Sequence, residues 1–318
     1  MRIFRHYETL PEDTRGAAIA IGNFDGVHPG HQAVINEAGL IAHDMGVPWA
    51  VLTFEPHPRK VFAPDQPPFR LTPFRAKARE IERLGADILI VQRFNKAFSM
   101  LEAKDFVTAA LVQGLGAGHV VSGYDFVFGH KRSGHCDLLL EMGEKHGFGF
   151  TAVNAIKDDT GEAYSSTRVR DCLKTGDARG AAAVLGRDYE IEGLVIKGEH
   201  RGHTIGFPTA NIALGPYQRP VNGVYAVRAG LEAGADVEWL DGVANIGERP
   251  TFSGDGVVLE VFLFDFDADL YGKRLRVRLV DFLREEKTFD GIDGLKAQIA
   301  LDVTKAKDIL TSNETKDT

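Results

Sequence analysis

The sequence predicts a chain in two parts: an α/β domain with a doubly wound parallel sheet, then an antiparallel β-barrel domain with a terminal helix. Two observations predict this fold class. Up to about residue 160, short apolar runs alternate with helical patterns, as parallel strands joined by crossover helices do. Beyond a helical segment at 166–186, apolar residues recur with a period of two, as in half-buried antiparallel strands. The length of 318 residues suits two cores, and we expect domains over 1–182 and 183–318.

The first part contains four apolar runs that predict strands: AAIAIG (17–22), WAVLTF (49–54), DILIVQ (87–92) and HVVSGYDF (119–126). Helical patterns separate them, at 31–46, 74–85 and 106–116. The proline-rich stretch FAPDQPPFRLTP (62–73) predicts a loop that could cover a site. This order of elements favours a sheet with helices on both faces.

The second part contains four runs with the period of a half-buried strand: 189–198, 222–231, 257–266 and 273–282. In the last run Leu275, Val277 and Leu279 share one face, while arginines at 274, 276 and 278 share the other. A final helix is predicted over 293–310. Alternating strands of this kind predict a small antiparallel barrel.

Composition narrows the classes of partner. The net charge of −8 argues against nucleic acid, because phosphate backbones are bound by basic surfaces. Cys136 and Cys172 are the only cysteines, which argues against a disulfide framework. The N-terminal stretch lacks the apolar core of a signal peptide, and no run reaches the length of a membrane span. We therefore expect a cytoplasmic protein with small-molecule partners and no membrane partner; its oligomeric state is not determined by the sequence.

The most informative motif is GNFDGVHPGH (22–31), which follows a predicted strand and opens a helix. Open α/β sheets bind ligands at this carboxyl edge. Gly22, Gly26 and Gly30 allow close approach of the backbone, and the free N–H groups of a helix start bind anions. His28 and His31 share a helical face, where imidazoles can donate to phosphate oxygens. The pair alone could be incidental, and zinc would need further ligands, but the whole combination predicts phosphate chemistry.

Two further motifs in this part leave alternatives open. SSTRVR (165–170) places three hydroxyl groups at a helix start, where they could cap the helix or, with Arg170, bind phosphate. GYDFVFG (123–129) sets Phe126 and Phe128 on one face of an extended segment. These rings could line a flat ligand or fill the core.

The barrel part carries two candidate features. In GFPTAN (206–211), Thr209 and Asn211 share a face if the chain is extended, and their oxygens suit magnesium, although such a sequence can also be an ordinary turn. Glu260 is a single carboxylate within the apolar run VVLEVFLF. It could be a buried general base whose pKa burial would raise, or an edge residue in solvent.

These motifs support a family resemblance. The HxGH signature resembles that of nucleotidylyltransferases, and GNFDGVHPGH with LTFEPHP (52–58) resembles the adenylyl-transfer half of bacterial bifunctional riboflavin kinase/FAD synthetases. The barrel part resembles the riboflavin kinase module through GFPTAN, NGVYAV (222–227), NIGERPTF (245–252), LEVFLFDFDADLYG (259–272) and LREE (283–286). The resemblance implies two ATP-dependent reactions: riboflavin becomes FMN, and FMN becomes FAD with release of pyrophosphate. Magnesium is the implied cofactor.

The resemblance also implies roles for residues. His28, His31 and Glu260 would be catalytic. Thr209 and Asn211 would hold magnesium and ATP, and the flavin would lie near Asp125, Phe126, Phe128, Arg284 and Glu286. Nucleotide and phosphate binding would fall to the motif residues Gly22, Asn23, Phe24, Asp25, Gly26, Gly30, Ser165, Ser166, Thr167, Arg170 and Gly206.

The chain departs from the family pattern at two places. Val127 stands where the family commonly has arginine, and His203 where it usually has arginine before GFPTAN. Val127 removes one polar or ionic contact of the family pattern, and His203 makes a weakened kinase an alternative. A further alternative is a flavin-sensing or partner-docking barrel without catalysis. The intact Thr209, Asn211 and Glu260 count against both, because a module released from catalysis needs no magnesium pair together with a base.

Overall fold

The computed structural model describes residues 1–196, 206–233, 236–248 and 256–314. The chain forms two compact units, one of Met1–Pro67 with Thr72–Ser165 and the other of Pro68–Leu71 with Ser166–Thr318. Residues 68–71 of the proline-rich loop thus belong to the second unit, where the Arg70 N–H donates to the Pro216 carbonyl at 3.1 Å. The Gln218 N–H donates back to the Arg70 carbonyl at 2.7 Å.

The first unit is built on a six-stranded sheet in the order β1-β4-β3-β2-β5-β6, with all neighbours parallel. The prediction of a parallel sheet is confirmed. Strand β1 has no counterpart in the predicted pattern, because its sequence RIFR has only two apolar residues between two arginines, too short a run to predict a strand. The strands are β1 (Arg2–Arg5), β2 (Ala18–Ile21), β3 (Trp49–Glu55), β4 (Ile88–Arg93), β5 (His119–Gly123) and β6 (Gly149–Val153).

Each face of this sheet is covered by its own hydrophobic core. On β2, Ile19 and Ile21 pack into one core while Ala20 packs into the other, as the alternation of side chains along a strand requires. Leu52 and Val51 on β3 divide in the same way. The doubly wound arrangement is therefore confirmed.

The helices of the described residues mostly follow the predicted pattern. The single helix expected over 166–186 is instead two, because Gly176 has a positive φ of 80° and the Asp177 side chain caps the next helix by accepting from the Gly180 N–H. None of the described helices has both the length and the apolar character that a membrane crossing needs. The α-helices of the described residues are α1 (Pro29–Met45), α2 (Pro58–Phe62), α3 (Phe74–Arg83), α4 (Ala103–Phe106), α5 (Cys136–His146), α6 (Ser166–Thr175), α7 (Ala178–Leu185) and α8 (Ile292–Glu314). A π-helix, Val107–Gly114, continues α4.

The second unit contains a closed barrel in the order β10-β11-β8-β7-β12-β9, with antiparallel neighbours throughout. The predicted antiparallel barrel is confirmed. Its strands are β7 (Tyr189–Ile196), β8 (Ala210–Ala213), β9 (Gly223–Ala233), β10 (Asp236–Glu248), β11 (Val257–Leu263) and β12 (Arg274–Arg284).

The two faces of β12 separate as predicted. Leu275, Val277 and Leu279 are fully buried. On the other face the Arg276 guanidinium donates to both carboxylate oxygens of Glu190, at 2.7 and 2.8 Å, so this arginine is buried and paired. Helix α8 packs Ala306 and Leu310 against the barrel strands, which confirms the terminal helix.

Candidate active sites

The glycine-rich turn 22–31 lies at the carboxyl end of β2, between the ends of β3 and β5. Its backbone is unusual, since Phe24 and Val27 adopt positive φ angles of 47° and 46°. Such angles are costly for residues with a Cβ and concentrate at functional sites. Gly22 is required here, because a Cβ would lie 2.9 Å from the Phe24 ring. The predicted turn therefore has a strained and tightly packed form.

His28 and His31 lie together at the start of α1. His28 is the N-cap, and its Nδ1 accepts from the His31 N–H at 3.3 Å. A nitrogen that accepts carries no proton, so the neutral His28 ring holds its proton on Nε2. The two rings stack with centroids 3.7 Å apart and 21° between their planes. Gly30 makes room for the pair, because a Cβ there would be 3.2 Å from the His28 ring.

Asp25 and Gly26 are held from the other side of the turn by Thr72. The buried Asp25 carboxylate accepts from the Thr72 N–H at 3.1 Å, and the Gly26 N–H donates to the Thr72 hydroxyl at 2.8 Å. These reciprocal bonds satisfy buried polar groups that would otherwise be costly. Asp25 therefore shapes the turn from within.

Sequence reasoning missed the group that supports Asn23. The fully buried ammonium of Lys77, on α3, donates to the Asn23 carbonyl at 2.7 Å and to the Thr53 hydroxyl at 3.1 Å. It also lies 3.0 Å from a Glu55 carboxylate oxygen. In the sequence, Lys77 stands in the charged run FRAKARE, which resembles a solvated helix face, so no local signal marks it as buried.

The two phenylalanines after β5, Phe126 and Phe128, were predicted either to line a flat ligand or to fill the core. The Phe126 and Phe128 rings stack, with centroids 5.5 Å apart and 18° between their planes. Phe128 is buried and also contacts Phe106, whereas Phe126 and Val127 are only half-buried. Asp125 is exposed. Phe128 therefore contributes to the core, and Phe126 and Asp125 remain accessible to a ligand.

The residues of SSTRVR fall in both units. Ser165 ends the first unit, while Ser166, Thr167 and Arg170 belong to α6 in the second. Arg170 holds residue 69 of its own unit: its Nε donates to the Phe69 carbonyl at 2.9 Å, and its guanidinium lies 5.7 Å from the Phe69 ring centroid. Thr167 is exposed at the start of α6.

In the barrel, three polar side chains form a row across neighbouring strands. Glu260 on β11 pairs with Asn211 on β8 and with Asn245 on β10, and directly opposed residues share a face. Their neighbours Leu259 and Ile212 are fully buried, which places the row on the outer face of the barrel. Glu260 is half-buried on a central strand, so it is neither a core residue nor an edge residue.

Asn211 connects this row to Thr209. The Asn211 side-chain nitrogen donates to the Thr209 carbonyl at 3.3 Å. The Asn211 side-chain oxygen therefore points away from that carbonyl. Gly206 precedes them with a positive φ of 87°, a conformation that suits glycine. His203 lies outside the described residues.

Two residues of the LREE run, Arg284 and Glu286, differ in their contacts. Glu286 accepts from the Asn245 amide at 3.2 Å, which extends the polar row. The Glu286 carboxylate lies over Gly247, so a Cβ at residue 247 would displace it. Arg284 instead donates through Nε and Nη2 to Asp302 of α8, the shortest bond being 2.7 Å. Arg284 therefore ties β12 to the terminal helix.

Comparisons with known proteins match both parts of the chain. The family model for FAD synthetase matches residues 10–168, and that for riboflavin kinase matches residues 185–310. A bifunctional riboflavin kinase/FMN adenylyltransferase of Haemophilus influenzae is 39% identical over 312 residues, covering 98% of this chain and all of that protein. The Pseudomonas fluorescens protein of that name is 41% identical, covering 96% and 97%. A solved Streptococcus pneumoniae structure, named as a macrolide-efflux protein, has a TM-score of 0.83 at 27% identity, covering 96% and 99%.

A nucleotidylyltransferase-like parallel sheet followed by a flavokinase barrel defines a two-domain transferase of flavin metabolism. The chain belongs to the family of bifunctional riboflavin kinase/FMN adenylyltransferases. It is thus an enzyme of this type, with riboflavin, FMN, FAD and ATP as its substrates and products. A weakened kinase or a non-catalytic barrel is not favoured, because the riboflavin kinase match spans nearly all of the barrel part.

Proposed function

We propose that residues 1–182 carry the adenylylation of FMN and that residues 183–318 carry the phosphorylation of riboflavin. The observation that supports two separate sites is that the stacked histidines and the Glu260 row lie in different compact units, the second of which already begins at Ser166. Each constellation has the donors and acceptors for one of the two reactions. The kinase step yields FMN and ADP, and the adenylyl step yields FAD and pyrophosphate.

In the adenylyl step, a phosphate oxygen of FMN bonds to the α-phosphorus of ATP while the bond to pyrophosphate breaks. No proton transfer is needed, because negative charge passes from the attacking phosphate to the pyrophosphate. The proposed phosphate donor is the Nε2–H of His28, which is supported by the role of Nδ1 as the helix cap. His31, stacked against it, would stabilise the same developing charge.

The surrounding motif residues would hold the two substrates of this step. Gly22 and Gly30 let the turn close against the Phe24 and His28 rings, and the bonds of Asn23 to Lys77 and of Asp25 to Thr72 fix its shape. In this shape the turn would bind phosphates. The Ser165 hydroxyl, in the same compact unit as the turn, would bind the triphosphate. The accessible part of the Phe126–Phe128 stack, with Asp125, would contact the flavin ring.

In the kinase step, Glu260 would accept the proton of the riboflavin 5′-hydroxyl as that oxygen attacks the γ-phosphorus of ATP and ADP leaves. Asn211 and Asn245 flank the carboxylate on the adjacent strands, so amide groups surround the proton acceptor. Gly206 would allow close approach of the nucleotide. Glu286 and Arg284 would lie near the flavin at the far end of the row.

The donor set at Thr209 and Asn211 fits magnesium. A hydroxyl and an amide carbonyl are oxygen ligands, and the Asn211 amide nitrogen is already directed to the Thr209 carbonyl. The bound ion would neutralise charge on the nucleotide phosphates. Thr209 and Asn211 would hold it beside the Glu260 carboxylate.

We extend the proposal to the setting of the enzyme. The net charge of −8 supports small-molecule rather than nucleic-acid partners, and two cysteines outside any metal pattern suit the reducing cytoplasm. Localisation of a tagged full chain by cell fractionation tests this part.

The catalytic proposal is tested with the purified full chain, riboflavin, ATP and magnesium, by chromatographic separation of riboflavin, FMN and FAD over time. FMN should form first and FAD should follow. The same reaction started from FMN isolates the second step. Accumulation of FMN without FAD, or no turnover of riboflavin, would contradict one or the other assignment.

A further inference from the structure

Lys77 is the most deeply buried cation of the first unit's described residues, with no exposed surface. Removing an ammonium group from water is expensive unless its surroundings compensate for it. Two core residues on α3, Ala78 and Ile81, are ordinary apolar contacts to the sheet. Helix α3 therefore buries the charged Lys77 ammonium beside apolar core residues, where an apolar side chain would avoid the cost of desolvating a charge.

The contacts of Lys77 converge on the turn that carries the histidines. Its ammonium donates to the Asn23 carbonyl at 2.7 Å, and the Thr53 hydroxyl donates to the same carbonyl at 3.2 Å. The ammonium also donates to the Thr53 hydroxyl at 3.1 Å, so the three groups form a closed triangle. Glu55 supplies the opposite charge at 3.0 Å. The Asn23 carbonyl is thus fixed by two donors.

This arrangement determines where the next amide group points. In a planar trans peptide, the carbonyl of one residue and the N–H of the following residue point in opposite directions. With the Asn23 carbonyl turned inward to Lys77, the Phe24 N–H is turned away from Lys77. Phe24 then reverses the backbone with its positive φ of 47°, and its ring packs edge-on against His31 at 5.5 Å. Lys77 therefore controls both an amide donor of the turn and the ring that abuts His31.

We propose that Lys77 is a positioning residue for adenylyl transfer: it acts through the Asn23 carbonyl to hold the 22–31 turn in its catalytic shape. The inference rests on the proposed role of this turn in FMN adenylylation. The alternative is that Lys77 and Glu55 form only a structural ion pair of the core. The positioning role and the structural ion pair predict different results for a variant that removes the charges of both Lys77 and Glu55. In that variant no charge is left unpaired, but the Asn23 carbonyl still lacks the Lys77 donor.

The test measures kcat and KM for FMN adenylylation and for riboflavin phosphorylation in the full chain. Lys77→Met should lower kcat for adenylylation about 10- to 100-fold, because small misplacements of reacting groups cost this much, with a change in the KM for ATP below about threefold. Riboflavin phosphorylation, measured in the same sample, should change by less than about twofold. Ile81→Ala is the matched control: it weakens the packing of α3 but leaves the Asn23 anchor, and should keep adenylylation.

Two further variants separate positioning from stability. Lys77→Met with Glu55→Gln removes both charges, so the melting temperature should recover relative to Lys77→Met alone while kcat stays low. Thr53→Val preserves side-chain shape and leaves the Lys77 bond to the Asn23 carbonyl, but removes the second donor to that carbonyl together with one acceptor of the Lys77 ammonium. It should lower kcat about three- to tenfold. It keeps the test valid if Lys77→Met does not fold.

The outcomes are distinct. Recovery of kcat in the double variant to within about threefold of wild type, or wild-type kcat in both Lys77→Met and Thr53→Val, would overturn the positioning role. Failure of the underlying function looks different, since wild type would then make no FAD, or His31→Ala would retain full adenylylation.

Discussion

Glu260 and Asn211 face each other across β11 and β8, on the outer side of a closed barrel. Asn245 lies opposite Glu260 on the other neighbouring strand, β10, so an amide side chain stands directly across from this carboxylate on each side. Amide groups can orient a carboxylate without neutralising it. The position is therefore suited to a group that must accept a proton and then release it.

Glu260→Gln should lower riboflavin phosphorylation about 10²- to 10⁴-fold, because it removes the proton acceptor and preserves the shape. FAD formation from added FMN should be unaffected. Initial rates of both steps, measured by chromatography in one preparation, check this. Undiminished kinase turnover would remove Glu260 from the role of general base.

His31→Ala should lower FAD formation from FMN at least about 10²-fold, because it removes one of two imidazoles that stabilise the developing phosphate charge. FMN formation from riboflavin should continue. Asn36→Ala, an exposed position on the same helix, is the matched control. If His31→Ala abolished both steps while remaining folded, the assignment of separate sites would be wrong.

Asp302→Ala should reduce the free energy of unfolding of the second unit by about 3 kcal/mol, because it leaves the Arg284 guanidinium without its bidentate partner in a largely buried place. Arg284→Ala should have a similar effect, and urea unfolding followed by circular dichroism measures both. Lys296→Ala, exposed on the same helix, should change little. A contact of Arg284 with the flavin would additionally raise the KM for riboflavin in Arg284→Ala more than in Asp302→Ala.

His119 should make stability fall in mild acid. Burial lowers the pKa of this imidazole below its usual value, and its Nε2 lies 2.9 Å from the Thr151 hydroxyl. A lowered pKa means that the folded state favours the neutral ring, so its contribution is fully present above the unfolded pKa of about 6.5 and is lost as the pH falls through the folded value. His119→Gln should flatten the decline in melting temperature as the pH falls below about 6.5. An unchanged slope would assign the decline to other groups.

The sequence was sufficient for the elements whose patterns are local. AAIAIG and WAVLTF became β2 and β3 within a residue or two, and the alternation in β12 predicted both of its faces. The motif GNFDGVHPGH also predicts a turn that leads into a helix, and α1 begins within this motif at Pro29.

What escaped prediction depends on partners that are distant in sequence. Lys77 looks like a surface lysine until Asn23 and Thr53, 54 and 24 residues away, are brought to it. Asn245 opens the motif NIGERPTF, but its position directly opposite Glu260 follows only from strand register. Arg284 was expected near the flavin from its motif, but its ion pair with Asp302 depends on where α8 packs.

The short stretch Pro68–Leu71 has a consequence for how this protein can be divided. Neither compact unit is encoded by one continuous piece of the gene. A fragment that starts at residue 166 would make the barrel without the backbone that pairs with Pro216 and Gln218. A fragment that ends at residue 165 would carry that backbone without the residues it pairs with. Insertion, deletion or cleavage between residues 68 and 71 should therefore destabilise the second unit before the first, although the main segment of the second unit begins almost a hundred residues later.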